Sequence, residues 1–257
     1  MKITANRTEY NHIKALLIEN LPTQGSLSDS YLEGHILNSE HYEVIINDKF
    51  AGFYSIYDGK MLTQFFIKEE FRKYGQQIFE VAKRTDHVLS ALISTGDELF
   101  LSHAIERAKR VETQAYFFKA PEKGFDMTTC RKDLTLRLAT VHDEELILEK
   151  SGDFFDDVPK QLKNKELYVG TSNGQVVSFG IIEESKMYNN VGSTGMFVVP
   201  EHRSSGIGRS TILKLIDICG EKNITPIAGC GYYNHNSKKT LESAGYYTQT
   251  RLMNIKL

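Results

Sequence analysis

At 257 residues the chain is long enough for one large core or two of ordinary size. Its 31 basic and 33 acidic residues leave a formal charge of −2, which argues against a broad nucleic-acid surface. No apolar run nears the roughly 20 residues that span a bilayer, the opening MKITANRTEYNHIKALL lacks a signal-peptide pattern, and Cys130, Cys219 and Cys230 form no CxxC pair. The expectation is a soluble cytoplasmic protein with reduced thiols and neither a membrane nor a nucleic-acid partner.

Residues 2–5 read as a short strand, and TEYNHIKALLIENL sets Tyr10, Ile13, Leu16, Leu17 and Leu21 on one helical face. Pro22, Gly25 and Ser26 interrupt it before SDSYLEGHILN, a second and weaker helix. HYEVIIN, FAGFYSIYDG and KMLTQFFIKE are strand-like runs, with turns at Asn47-Asp48 and Asp58-Gly59. FRKYGQQIFEVAKRTDH predicts a helix, HVLSALISTGD a strand, ELFLSHAIERAKR a helix and ETQAYFF a strand. The stretch KAPEKGFDMTTCRKD then mixes charge with a proline and a glycine. It marks a boundary: a first domain over 1–120, a linker over 121–133 and a second domain over 134–257.

Past the linker the order repeats. DLTLRLA is a strand, VHDEELILEKSG a helix and DDVPKQLKNK a short helical piece. ELYVGTSNG and QVVSFGIIEE form a hairpin about Asn173-Gly174. A strand over 196–199 is followed by a basic glycine turn and a helix opening at Arg209. TPIAGCGYYN, HNSKKTLESAG and YYTQTRLMNIKL close the chain as strand, helix and strand. Laid over each other, the halves match Arg72 with Arg203 and Gly75 with Gly206. With an offset four residues larger they match Ser102 with Ser237 and Gln114 with Gln249. The chain reads as a duplication, with a repeat too long for a solenoid.

The stretch that carries chemistry is MFVVPEHRSSGIGRS, residues 196–210. Gly206 and Gly208 let an anion approach the main chain, and a helix N-terminus offers unpaired N–H groups and the positive end of its dipole. A P-loop would need a lysine after its last glycine, and none is present. A dinucleotide fingerprint would want a small residue where Thr211 stands and an acid ending the next strand, and both are missing.

The order Val198-x-Pro200-x-x-Arg203-x-x-Gly206-x-Gly208 resembles motif A of the GNAT superfamily of N-acetyltransferases, whose core is Gln/Arg-x-x-Gly-x-Gly/Ala. Asn234-x-x-Ser237, with Gly245-Tyr246 after the intervening helix, resembles that family's last motif. The resemblance covers residues 134–257 well and 1–118 more loosely. It implies an α/β (α+β mixed sheet) fold: two tandem acyl-coenzyme A N-acyltransferase domains, each a mostly antiparallel mixed sheet with flanking helices. It also implies acetyl-coenzyme A as donor, a small-molecule or peptide amine as acceptor, no metal, and direct attack in a ternary complex. By the same resemblance Met196, Phe197 and Val198 line the donor's arm. Main-chain N–H groups from Ser205 through Gly206, Ile207, Gly208 and Arg209 to Ser210, next to Ser204, hold the pyrophosphate, with charge from Arg203 and Arg209. Asn234, with Ser237 behind it, contacts the donor from the neighbouring strand and also suits a helix N-cap.

The resemblance does not supply a proton carrier. The family's glutamate position falls on Gly229 and its tyrosine position on Leu241, neither of which moves a proton. Tyr233, His235, Ser193 and Glu183 are the remaining candidates, and none is assigned. A non-catalytic acyl-coenzyme A binding or regulatory protein is the rival reading, and a longer acyl donor stays open. In the first half Gln77 replaces Gly208, Leu99 stands opposite Asn234 and Arg110 opposite Gly245, so that half reads as a degenerate copy that binds no cofactor. Tyr54, Tyr57 and Tyr74 are noted there as lining residues. Asp156-Asp157, Glu183-Glu184 and the scattered histidines lack metal-ligand spacing, and Lys238-Lys239 reads as a solvated helix face unless it meets a phosphate. A monomer or a homodimer fits the sequence.

Overall fold

The computed structural model describes residues 2–20 and 27–257, so the helix-face residue Leu21 and the breaking residues Pro22, Gly25 and Ser26 lie outside the described residues. In chain order the first half forms β1 (Ile3–Thr8), α1 (Tyr10–Asn20), α2 (Ser30–Leu37), β2 (Glu40–Ile46), β3 (Lys49–Tyr57), β4 (Met61–Ile67), α3 (Gly75–Arg84), β5 (Ser90–Ser94), α4 (Glu98–Ile105) and β6 (Arg110–Lys119). The second half forms β7 (Leu134–Leu138), α5 (Glu144–Ser151), α6 (Val158–Lys163), β8 (Leu167–Ser172), β9 (Gln175–Glu184), β10 (Val191–Val198), α7 (Ile207–Glu221), β11 (Thr225–Gly231), α8 (His235–Ser243) and β12 (Tyr247–Lys256). Contacts group Met1–Phe117 with Gly231–Tyr233 and Gln249–Leu257 as one compact unit, and Phe118–Cys230 with Asn234–Thr248 as another. Most of β12 thus belongs with the first unit, although chain order places it in the second half.

In the first unit the strands run β1-β2-β3-β4-β5-β12-β6. β1 to β4 form an antiparallel meander. Its tight turns put Asn47 and Asp48 at φ 47° and 64°, and Asp58 and Gly59 at φ 50° and 64°, the double positive φ that matches the twist of two-residue hairpins. β4 and β5 are parallel over only Met61↔Ser90 and Leu62↔Ala91. β12 lies antiparallel to β5 from Leu252↔Ser94 to Lys256↔Ser90. Asp29 caps α2 by accepting from the Leu32 N–H at 3.0 Å. The core joins Tyr54, Phe65, Phe79 and Phe100 to Ile255 and Leu257 beyond the chain's long excursion, each large side chain contributing about 2–3 kcal/mol by leaving water.

In the second unit the order is β11-β10-β9-β8-β7. β7 to β10 are antiparallel, and the predicted hairpin turn has Asn173 and Gly174 at φ 50° and 77°. Alternation along β9 sends neighbouring side chains to opposite faces. Phe179 and Ile181 pack with Ile147, Phe155, Val158 and Leu162 of the α5–α6 side. Gly180 faces α7, where an added Cβ would meet Leu215 at 2.9 Å. α7 begins at Ile207, two residues before the expected Arg209, and β10 begins at Val191, five before the expected strand.

Candidate active site

β10 and β11 pair in parallel at Val191↔Thr225, Gly192↔Pro226 and Ser193↔Ile227, and the register stops there. β10 nevertheless keeps its bonds to β9 as far as Val198↔Ser178. The Val199 N–H donates to the Val177 carbonyl at 3.1 Å, so odd-numbered residues of this stretch turn their main-chain groups toward β9. Met196 and Val198 therefore present theirs to the opening where the strands part. Of these groups the Val198 carbonyl accepts from Arg203 Nε at 3.1 Å. The fork is pinned at its root. Thr194 Oγ1 donates to the Ile227 carbonyl at 3.0 Å, which leaves the Tyr246 hydroxyl, 2.9 Å away, as the donor to Thr194. Burial pushes the Tyr246 phenol well above its ordinary range, so the hydroxyl keeps its proton.

Beyond the fork the chain makes a short turn at Pro200–His202 and enters α7 through Ser204 at φ 59° and Gly206 at φ 82°. The left-handed conformation at Gly206 is one that glycine adopts without steric cost. The first bond of α7 runs from the Ser210 N–H to the Gly206 carbonyl at 3.1 Å. The N–H groups of Ile207, Gly208 and Arg209 have no carbonyl behind them within the helix, and the dipole adds positive potential there. A Cβ on Gly208 would lie 3.1 Å from Thr240 Cγ2, 3.3 Å from Val198 Cγ2 and 3.6 Å from Met196 Sδ. Glycine at 208 thus lets β10, α7 and α8 meet at the cleft floor.

These elements enclose a cleft of about 520 Å³. Met196, Phe197, Val198, Arg203, Ser204, Gly206, Gly208, Arg209, Asn234 and Ser237, ten of the expected binding residues, line it. The side chains of the other three turn away. Ser205 gives its carbonyl to Arg131 Nη1 at 3.0 Å and its hydroxyl proton to the His202 carbonyl. Ile207 is buried against Leu134, Val177 and Val198. The Ser210 N–H, expected to face the anion, is spent on the Gly206 carbonyl because α7 starts earlier than expected, and its hydroxyl accepts from the Arg131 N–H at 3.0 Å. Asn234 does cap α8, accepting from the Ser237 N–H at 3.0 Å.

Arg209 tests the fit of an anion. Its Nη2 donates to the Thr129 carbonyl at 3.2 Å, while its Nε is buried with no partner among the described residues. An orphaned buried donor costs about 1–3 kcal/mol, and an acceptor in the cleft would remove that cost. Arg203 lies over the Phe197 ring at 5.5 Å. The residues fit a pyrophosphate.

Sequence reading missed Phe154, Asn236, Thr240 and Ser243, which also line the cleft, as does Lys239, read there as solvated unless it met a phosphate. Asn236, Lys239, Thr240 and Ser243 recur at helical spacing along the polar face of α8, a signal that was present. Lys238 instead pairs with Glu242 on the same helix. Phe154, 46% exposed, packs edge-on against Phe155 and at 5.3 Å from Phe197. None of Tyr233, His235, Ser193 or Glu183 lines the cleft. Tyr233 is 82% exposed and His235 is exposed at the start of α8, whereas Ser193 is buried opposite Glu183 in the β9–β10 ladder. Leu241 is a core residue, 2% exposed. Among the described residues no group of His, Cys, Asp or Glu is placed to hold a metal ion, and no helix is long and apolar enough to cross a membrane.

The corresponding place in the first unit is filled. β4 and β5 part after Leu62↔Ala91, but Phe65 packs there against Phe79 at 5.1 Å and Phe100 at 6.0 Å. Gly75 has helical φ of −54°, and a Cβ on it would lie 2.5 Å from His103 Nε2. Burial lowers the His103 pKa, which favours the neutral ring against Phe65 and Phe79. The residue that caps α4 as Asn234 caps α8 is Asp97, accepting from the Phe100 N–H at 3.1 Å. The constant offset between the halves points instead to Leu99, two residues too late. Tyr54 is core, bonded to Thr85 at 2.7 Å. Tyr57 packs on the His35 ring, and Tyr74 leans on the core beneath Lys73.

A GNAT acetyltransferase domain model matches residues 9–121, and the GNAT acetyltransferase family model matches residues 136–246. No curated protein matches the chain. Among solved structures, a GNAT-family acetyltransferase from Colwellia psychrerythraea superposes with a TM-score of 0.84 at 14% identity, covering 100% of both chains. A GCN5-related N-acetyltransferase from Sphaerobacter thermophilus gives a TM-score of 0.69 at 13% identity, covering 99% of this chain and 95% of that one. A tandem GNAT protein from the clavulanic acid biosynthesis pathway gives 0.65 at 9% identity, covering 100% and 98%. At these identities the likeness concerns the fold.

Proposed function

The chain carries two GNAT domains in tandem and belongs to that superfamily of acyltransferases, and on that premise we propose that its second unit transfers acetyl from acetyl-coenzyme A to a primary amine. The observation that carries this reading is the single cleft that joins the forked β10–β11 edge to the glycine turn and the orphaned Arg209 Nε. The phosphate end would be held by the N–H groups at the start of α7 and by Arg209. The arm would run along β10, where Met196 and Val198 offer main-chain groups to its amides. A main-chain N–H in that edge would stabilise the oxyanion that forms when the amine attacks the thioester. The C–N bond forms, the C–S bond breaks, and the amine's proton ends on the thiol. No side chain is assigned to that transfer, since Gly229 and Leu241 stand where proton carriers would be and no other candidate lines the cleft.

That gap supports a second reading, a non-catalytic acyl-coenzyme A binder. Thiol release with a panel of small-molecule and peptide amines separates the two. Release above background with any acceptor establishes the enzyme, and tight binding without release establishes the binder. Donors of increasing chain length, in competition, decide between acetyl and a longer acyl group. In this reading the first unit binds no donor, which predicts a calorimetric stoichiometry near one coenzyme A per chain.

A further inference from the structure

The segment that reads as a linker takes a direct part in shaping the glycine turn. Asp126 accepts from the Thr128 N–H at 3.0 Å and closes a short turn at Met127–Thr129. The Thr129 carbonyl at its end holds Arg209 Nη2 at 3.2 Å. Two residues on, the Arg131 N–H donates to Ser210 Oγ and Arg131 Nη1 donates to the Ser205 carbonyl, each at 3.0 Å. Nε and Nη2 of the same guanidinium fork the Asp133 carboxylate at 3.1 and 2.7 Å, and Ser172 Oγ on β8 donates to that carboxylate at 2.6 Å. One arginine thus ties β8 to the peptide that enters α7.

The consequence follows from peptide geometry. In a planar trans peptide the carbonyl and the following N–H point in opposite directions. The unit that Arg131 holds by its oxygen is the one joining Ser205 to Gly206. Gly206 accepts either sign of φ, so this peptide could rotate about its own axis at little steric cost. We propose that Arg131 is a positioning residue for the donor's pyrophosphate: by holding the Ser205 carbonyl on the outside it directs the Gly206 N–H to the cleft side. This inference rests on the reading that the cleft takes coenzyme A. It assigns the linker a role at the phosphate end alone, because the arm-binding edge of β10 makes none of these contacts.

Two donors test it, acetyl-coenzyme A and S-acetylpantetheine, which lacks the pyrophosphate and nucleotide. With the best amine of the panel, Arg131→Gln raises the KM for acetyl-coenzyme A about tenfold, the size expected for one charge-assisted contact, with kcat within twofold. The same variant leaves the KM for S-acetylpantetheine unchanged. Arg131→Lys, which keeps the charge without the fork, shifts the first KM less and again spares the second. If no amine reacts, the comparison is read by calorimetry with coenzyme A and pantetheine. An equal loss for both donors, in either variant, reduces Arg131 to a structural residue and overturns the inference, as does no change with either. If Arg131→Gln does not fold, the lysine variant decides alone. Failure of the unmodified protein to bind coenzyme A would instead overturn the functional reading beneath it.

Discussion

The entrances to α3 and α7 are two versions of one device. Each follows a strand whose parallel pairing ends early, at Leu62↔Ala91 in one and Ser193↔Ile227 in the other. The fork is therefore a property of the fold, present whether or not its space is open. What differs is what fills it. In the second unit Gly206 turns left-handed, Gly208 keeps the floor clear and a cleft remains. In the first, Gly75 is helical, Gln77 stands in place of Gly208, and Phe65, Phe79, Phe100 and His103 close the space. Forked strands alone do not leave a cleft. The glycine turn and the absence of an aromatic plug do.

The strongest way to break this comparison is to remove the plug. Phe79→Ala is expected to cost about 3–5 kcal/mol of stability in urea unfolding while leaving coenzyme A affinity and stoichiometry unchanged. A stoichiometry rising toward two would mean that the aromatic filling, rather than the turn, separates the units. Gly208→Gln copies the first unit's residue into the second. Its side chain must displace Thr240 and Val198, and coenzyme A affinity should fall roughly a hundredfold by calorimetry; retained affinity would dissociate the turn from binding. Arg209→Gln removes the orphaned Nε–H and should weaken coenzyme A about tenfold, with less salt dependence than the unmodified protein. An unaltered salt response would show that the guanidinium does not meet the anion.

The smallest effect separates the two helix caps. Burial raises the Asp97 pKa to about 6, outweighing the Phe100 N–H that favours the carboxylate. Between about pH 4 and pH 6 the folded chain keeps a proton that the unfolded chain has released, so this group's contribution to stability falls as pH rises through that window. Asn234, its counterpart on α8, does not titrate. Asp97→Asn keeps a capping oxygen and should flatten the dependence, read as urea midpoints at pH 4.5 and 6.5. Identical slopes in both proteins would erase the distinction between the caps.

Much of this was legible in the sequence because periodicity and turn chemistry are local. Alternation in HYEVIIN and QVVSFGIIEE, and Asn-Gly at the hairpin, report conformations that neighbouring residues impose. The glycine turn was legible for the same reason, since Gly206 answers to its own φ. Ser210 was misplaced because a helix can begin before its apolar pattern does, and the two-residue shift commits its N–H to the Gly206 carbonyl. Asp97 was missed because a constant offset between copies ignores small insertions, whereas a cap is defined by the bond it makes. Arg131 lay in an irregular segment with no period to read, and its partners at Ser205 and Asp133 are fixed by the fold.

The placement of β12 bears on how the protein comes into being. Arg251 takes its N–H to Thr95 Oγ1, a partner 156 positions earlier, and Ile255 and Leu257 complete a core begun by Val44 and Tyr54. During synthesis β5 waits, with an edge unpaired, while the ribosome makes the whole of the second unit. Such an edge is a template for wrong pairing, and contacts this distant in sequence form late. Maturation of the first unit is thus timed by translation of the last strand, and a nascent chain stalled before residue 250 would display β5 to whatever else has an edge to offer.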